Sequence, residues 1–264
     1  MTALARTPLI AGNWKMNLDH LQAIALVQKL AWTLADVKHD YGRAEVVVFP
    51  PFTDLRSVQT LLAADKLAIQ LGAQDASEHT AGAHTGDIAA SFLHKLDVAY
   101  VLVGHSERRQ GHGESPELVA RKARAVQAAG LTPVVCVGET ALERDELGAA
   151  MTPLAQLDAV LEVLPPEASF VLAYEPVWAI GSGEPASPQQ AQEVGQMLRA
   201  RVSERRGDDV AASTRVLYGG SVTSQNVASF LREPDIDGVL VGGASLDPVE
   251  FARIVQFEKH VTSA

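Results

Sequence analysis

The chain has 264 residues, 47% of them hydrophobic and 20% charged, with a net charge of −10. The length allows one large α/β barrel as readily as two smaller domains. The acidity argues against a nucleic-acid partner, which needs clustered basic residues, but leaves a small phosphate ligand open, since backbone N–H groups hold phosphate without net positive charge. No apolar run is long enough to span a membrane. The opening MTALART lacks the apolar core of a signal peptide. Cys136 is the only cysteine, so no intrachain disulfide is possible, which fits a reducing compartment. The expected location is cytoplasmic.

Two kinds of segment alternate along the chain. Short apolar, β-branched runs read as buried strands: Pro8–Asn13, Glu45–Phe49, Leu67–Gly72, Val98–Gly104, Thr132–Gly138, Ser169–Tyr174, Arg215–Tyr218 and Gly238–Val241. Helical segments follow them, the clearest being Leu18–Lys38, Pro116–Ala129, Pro188–Arg206 and Pro248–Phe257, with shorter ones over Thr53–Ala64 and Thr223–Arg232. Pro116, Pro188 and Pro248 each follow Ser or Asp, the pattern of an N-cap with proline at the first helical position. Eight such units in this length predict a closed (β/α)₈ barrel of parallel strands, ahead of an open doubly wound sheet. No linker, low-complexity tract or internal repeat interrupts the pattern, so residues 1–264 read as one catalytic domain.

Polar residues gather where the strands end. Asn13 and Lys15 follow the first, Gln74 and Asp75 the third, and His105, Ser106 and Glu107 the fourth. Glu139 follows the fifth and Glu175 the sixth. Gly219, Gly220 and Ser221 follow the seventh, and Gly242 and Gly243 the eighth. In a barrel all of these share the C-terminal rim, where barrel active sites lie. The two glycine pairs, each before a helix, suit a phosphate cradle; read singly, each is an ordinary tight turn. Glu175 is a candidate general base. His105 suits polarising a carbonyl or moving protons, and Lys15 holding an anionic oxygen. Proton transfer next to a carbonyl needs such a set.

The stretch AYEPVWAIGSG (Ala173–Gly183) carries this further. Pro176 breaks the ladder after Glu175. Val177, Trp178, Ala179 and Ile180 are unusually apolar for a loop, and Gly181 and Gly183 bracket Ser182. That composition reads either as a lid that keeps a closed site dry or as a buried loop. GSGEPA (Gly181–Ala186) matches a loose dinucleotide-binding pattern, but it neither follows a strand directly nor opens a helix, and is set aside. Cys136 lies in an apolar run and reads as a packed thiol. The remaining histidines show no metal-ligand spacing, so no metal is expected. The loop Gln74–Gly86 is long for a strand–helix connection, which suits either function or a mobile surface.

With GNWKMN (Gly12–Asn17), VGHSERR (Val103–Arg109), CVGE (Cys136–Glu139), AYEPVWAIGSG, YGGSV (Tyr218–Val222) and VGGASL (Val241–Leu246) in this order, the chain closely resembles the triosephosphate isomerase family from end to end. The resemblance implies interconversion of dihydroxyacetone phosphate and D-glyceraldehyde 3-phosphate through an enediolate, a step of glycolysis and gluconeogenesis, with no cofactor. It implies that Glu175 moves the proton, that neutral His105 serves the two oxygens, and that Lys15 steadies negative charge. Asn13, Lys15, Gly181, Ser221, Gly242 and Gly243 would bind the triose phosphate. Ser106 would hold the base in the open form, and Glu107 would pair near the lysine. Pro176, Val177, Trp178, Ala179, Ile180, Gly181 and Ser182 would form the lid. Gln74, Thr85 and Gly86 would lie in a homodimer interface. Three positions depart from the family pattern: Ser182 where Thr is common, Asp75 where Asn is usual, and His84 where an aromatic is usual. Another phosphate-binding barrel enzyme and a non-catalytic phosphosugar binder are the alternatives, and the joint presence of Lys15, His105 and Glu175 weighs against both.

Overall fold

Eight parallel strands pair in sequence order and close on themselves in the computed structural model, which describes residues 6–179 and 185–260. They are β1 (Leu9–Asn13), β2 (Glu45–Phe49), β3 (Gln70–Ala73), β4 (Tyr100–Val103), β5 (Thr132–Val137), β6 (Val171–Tyr174), β7 (Arg215–Tyr218) and β8 (Gly238–Val241). Closure runs through β8 onto β1, with Leu9 opposite Gly238 and Gly12 opposite Val241. Helices separate the strands, so this is the (β/α)₈ barrel and not the open sheet.

Strand side chains alternate between two environments, as the period-two geometry of a strand requires. Leu9, Ala11, Val134, Cys136, Val171, Ala173 and Leu217 fill the barrel interior, in a cluster of their own. Ile10, Val135, Val137, Leu172 and Val216 face outward against the helices. The alternation has a consequence beyond the last strand residues. Counting on by two from the interior set reaches Asn13, Gly138, Glu175 and Gly219. The inward parity thus delivers an amide and a carboxylate to the rim, with two glycines beside the carboxylate.

The proline-started helices begin as expected. Ser115 accepts from the Leu118 N–H, Ser187 from that of Gln190, and Asp247 from those of Val249 and Glu250. Several boundaries move inward, and three of them have a visible local cause. β3 starts at Gln70 and not Leu67, because the Leu67 N–H still bonds Leu62 O, just past Lys66 at φ 51. The first helix starts at His20, since Asp19 caps it and Leu18 sits at φ 73. Of Thr223–Arg232 only Val227–Phe230 is helical; Asn226 Oδ1 instead accepts the Thr223 N–H and forms a turn. The helix Met151–Val163, not singled out from the sequence, packs against β5.

Candidate active site

Asn13, Lys15, His105, Glu175, Ser221, Gly242 and Gly243 line one cavity of about 300 Å³ at the C-terminal ends of the strands. Glu175, the acid in that lining, is buried at 2% exposure. Two neighbours make room for it. A Cβ on Gly219 would lie 3.0 Å from Glu175 Cγ, and one on Gly138 would lie 1.9 Å from the Glu175 carbonyl oxygen. Gly138 needs glycine because the backbone comes that close, and a side chain at 219 would press on Glu175.

His105 caps the helix Ser106–His112, and the first N–H groups of that helix are put to use. The Ser106 N–H donates to Glu175 Oε2 at 2.9 Å. The Glu107 N–H donates to His105 Nδ1 at 3.2 Å. With Nδ1 accepting, the proton of a neutral ring sits on Nε2, which lies 2.8 Å from Glu175 Oε1. Burial disfavours the charged ring, yet the carboxylates of Glu175 and Glu107 outweigh it and raise the His105 pKa above 6.5. The ring therefore answers to the charge state of Glu175.

Lys15 holds a left-handed backbone, φ 54, which is costly for a non-glycine residue. Its N–H donates to Asn13 Oδ1 at 3.0 Å, and its carbonyl accepts from Gln74 Nε2 at 2.8 Å. The same Gln74 nitrogen reaches Phe49 O at 2.8 Å. Lys15 Nζ pairs with Glu107 Oε1 at 2.5 Å. After β8, buried Ser245 donates both its N–H (2.8 Å) and its hydroxyl (2.7 Å) to Gly242 O, which fixes that peptide beside the cavity. Cys136 is fully buried, as its apolar run implied, and burial pushes its thiol well up.

A family model described as Triosephosphate isomerase matches residues 8–258. The chain belongs to the triosephosphate isomerase family. A relative of that name from Leifsonia xyli is 62% identical over 98% of this chain and 100% of its own length. Those from Corynebacterium diphtheriae (56% identical; 95% of this chain, 96% of its own) and Streptomyces coelicolor (54%; 96% and 98%) are likewise similar over nearly their whole length.

Strand-end position and the resemblance both name residues that line this cavity, and neither names what holds the start of the expected lid. Fully buried Glu139 receives three donors on Oε1: Tyr174 OH at 2.9 Å, Trp178 Nε1 at 2.9 Å and Arg144 Nη1 at 2.8 Å. Burial raises the Glu139 pKa against these bonds, and burial raises the Tyr174 hydroxyl as well. Pro176 leads into a short 3₁₀ turn, Val177–Ala179, closed by Ala179 N–H to Pro176 O at 2.8 Å. Ile180, Gly181 and Ser182, with most of the GSGEPA pattern, lie outside the described residues. Thr85 and Gly86 sit on an exposed stretch of the long loop, whereas the Gln74 amide is spent within its own chain. Among the described residues the resemblance passed over Gln156, whose side chain bonds the Gly138 peptide twice. One hint was available: a glutamine on an otherwise apolar helical face.

Proposed function

We propose that this chain carries out the reaction of its family by the route the site geometry suits: Glu175 takes a proton from one carbon of the bound triose phosphate and returns it to the next. The chain is an isomerase, and its substrates are dihydroxyacetone phosphate and D-glyceraldehyde 3-phosphate. The observation that most supports this assignment of roles is the convergence of the Glu175 carboxylate, His105 Nε2 and Lys15 on one cavity of about 300 Å³ beside Ser221, Gly242 and Gly243.

Substrate oxygens occupy the space between His105 Nε2 and Lys15 Nζ, and the phosphate lies against the backbone N–H groups of Ser221, Gly242 and Gly243. Glu175 leaves its bonds to Ser106 and His105 to reach the substrate carbon. As it takes the proton it loses its charge, and with it the main influence that raises the His105 pKa. Burial and the Glu107 N–H on Nδ1 then favour the neutral ring. A neutral Nε2–H donates to the developing oxyanion and shuttles a proton between the two oxygens. Lys15 stabilises the same negative charge, and Asn13 and Gln74 hold its left-handed backbone in place. The loop from Pro176 through Ser182 closes over the enediolate and excludes water. The active form is a cytoplasmic homodimer in which the loop around Thr85 and Gly86 meets a second copy.

Isomerisation by the purified chain, followed in both directions with a coupled assay, tests the reading. Glu175→Gln is expected to lower kcat by about 10²–10⁴-fold, the usual contribution of a positioned base. Binding of a phosphate-bearing analogue should change little. Near-normal turnover by that variant would remove Glu175 from the role.

A further inference from the structure

The base and the start of the lid rest on a peptide that the barrel's own ladder does not hold. β5 and β6 pair through Val137 opposite Tyr174, and the last bond between them is Glu175 N–H to Val137 O at 2.8 Å. Gly138 comes next, pressed flat on Glu175. Beyond the 1.9 Å approach to the Glu175 carbonyl oxygen, its missing Cβ would also meet Val177 Cγ2 at 3.3 Å. Any shift of this peptide therefore transfers directly to the base and to the first lid residues.

Gly138 is held from outside the sheet. Gln156, on the helix Met151–Val163, accepts the Gly138 N–H on Oε1 at 2.9 Å and donates Nε2–H to the Gly138 carbonyl at 3.0 Å. One side-chain amide thus does for this peptide what a neighbouring strand does for others. Gln156 is 7% exposed on a helical face otherwise made of Pro153, Leu154, Leu157, Val160 and Leu161. A buried amide among leucines is costly unless its bonds are met, and here one peptide meets both ends. A cavity of about 170 Å³ beside that peptide is lined by Gln156, Gly138, Glu175 and Val177. Among the described residues, the bonds on the Gly138 peptide are the two from the Gln156 amide. Residue 139, the next along, carries the carboxylate that gathers Tyr174, Trp178 and Arg144.

We infer that Gln156 is a positioning residue for the reaction: its two-bond hold on Gly138 sets the placement of Glu175 and of the Pro176–Trp178 hinge. The inference rests on Glu175 being the base. It touches no substrate and so acts on kcat, not on binding.

Gln156→Leu keeps the volume and removes both bonds, and Gln156→Glu keeps one acceptor while setting a carboxylate against the Gly138 carbonyl. Gln156→Leu is expected to fold, as read by near-ultraviolet circular dichroism, and to lose about ten- to a hundredfold in kcat, the scale of a misplacement near 1 Å, with KM within about threefold of wild type. A folded variant with wild-type kcat, or one altered only in KM, would overturn the inference. Should Gln156→Leu not fold, Gln156→Glu decides. Once protonated, its carboxyl restores both bonds, so its kcat relative to wild type should climb as pH is lowered; a ratio flat with pH overturns the inference. Glu175→Gln run alongside separates the two readings. If Glu175→Gln stays active, the base assignment fails; if it is inactive while Gln156→Leu has normal kcat, only the role of Gln156 fails.

Discussion

Asp75 and Glu114 share one lysine and respond to the fold in opposite directions. Lys122 Nζ lies 2.8 Å from Asp75 Oδ2 and 2.6 Å from Glu114 Oε1, and Arg108 touches both acids at 2.9 and 2.6 Å. For Asp75, burial outweighs these cations and raises its pKa above 3.8. For Glu114, burial is outweighed by Lys122 and Arg108, and the pKa is held below 4.5. The signs then differ. Glu114 contributes stability that is present above pH 4.5 and lost as pH falls through its lower folded pKa. Asp75 contributes stability that is present below pH 3.8 and lost as pH rises through its higher folded pKa. At neutral pH Asp75→Asn, the side chain usual in the family, is therefore expected to leave the melting temperature unchanged or raised. Glu114→Gln should cost about 3 kcal/mol, as breaking a buried pair does, and should flatten the acid limb of the stability profile. Thermal unfolding from about pH 2 to pH 8 measures both. A large loss in Asp75→Asn at pH 7 would contradict the assignment for that residue.

At the scale of elements, the junction of β6 with the turn Val177–Ala179 depends on Glu139. The indole N–H of Trp178 is one of three donors on a single carboxylate oxygen, while the Arg144 guanidinium lies 4.9 Å from the indole centroid. Trp178→Phe keeps an aromatic ring under Arg144 and removes that donor. A hydrogen bond to a charged group contributes about 1.5–3 kcal/mol, so the hinge should lose its fixed setting and kcat should fall about tenfold or more. Release of inorganic phosphate per turnover should rise, because a poorly seated lid admits water. Unchanged turnover with no added phosphate release would detach this bond from lid control. The junction also shows what the sequence makes legible. β-branched runs announce the strands, and strand-end chemistry announces Asn13, Lys15, His105 and Glu175, because both signals are local. The three donors on Glu139 come from β6, the turn and the helix Ala141–Leu147, and the hold of Gln156 on Gly138 spans 18 positions. Such bonds depend on which helix packs over which strand end, and no local pattern encodes that. The start of β3 departs from the local pattern for a related reason. Leu67 and Ile69 are apolar and suit a strand, but the end of the preceding helix claims the Leu67 N–H.

For the whole molecule, the long loop after β3 carries the question of assembly. Its base is anchored: Asp75, Ala76 and Ser77 are buried, and the Ser77 N–H reaches Ile88 O at 2.8 Å. Residues 79–87 stand exposed beyond it, and Met16, beside the catalytic lysine candidate, is 95% exposed. An ordered projecting loop and a bare apolar side chain at the site's edge suit contact with a second copy. Thr85→Arg places a bulky charge where that contact would be dry, and an unpaired buried charge is costly. Monomers are the expected result, with activity falling in parallel. Two rings close on each other within the loop. His79 and His84 stack with centroids 3.7 Å apart and planes 7° apart, and Glu78 Oε1 lies 3.9 Å from His79 Nε2. Glu78 is itself held by Arg121. His79→Ala removes the stack and should loosen the loop, so dimerisation should weaken in that variant. Sedimentation, with activity measured on the same samples, tests each part. A fully active monomer, or a normal dimer of Thr85→Arg, would sink the interface; a His79→Ala chain that dimerises normally would sink only the role of the stacked rings.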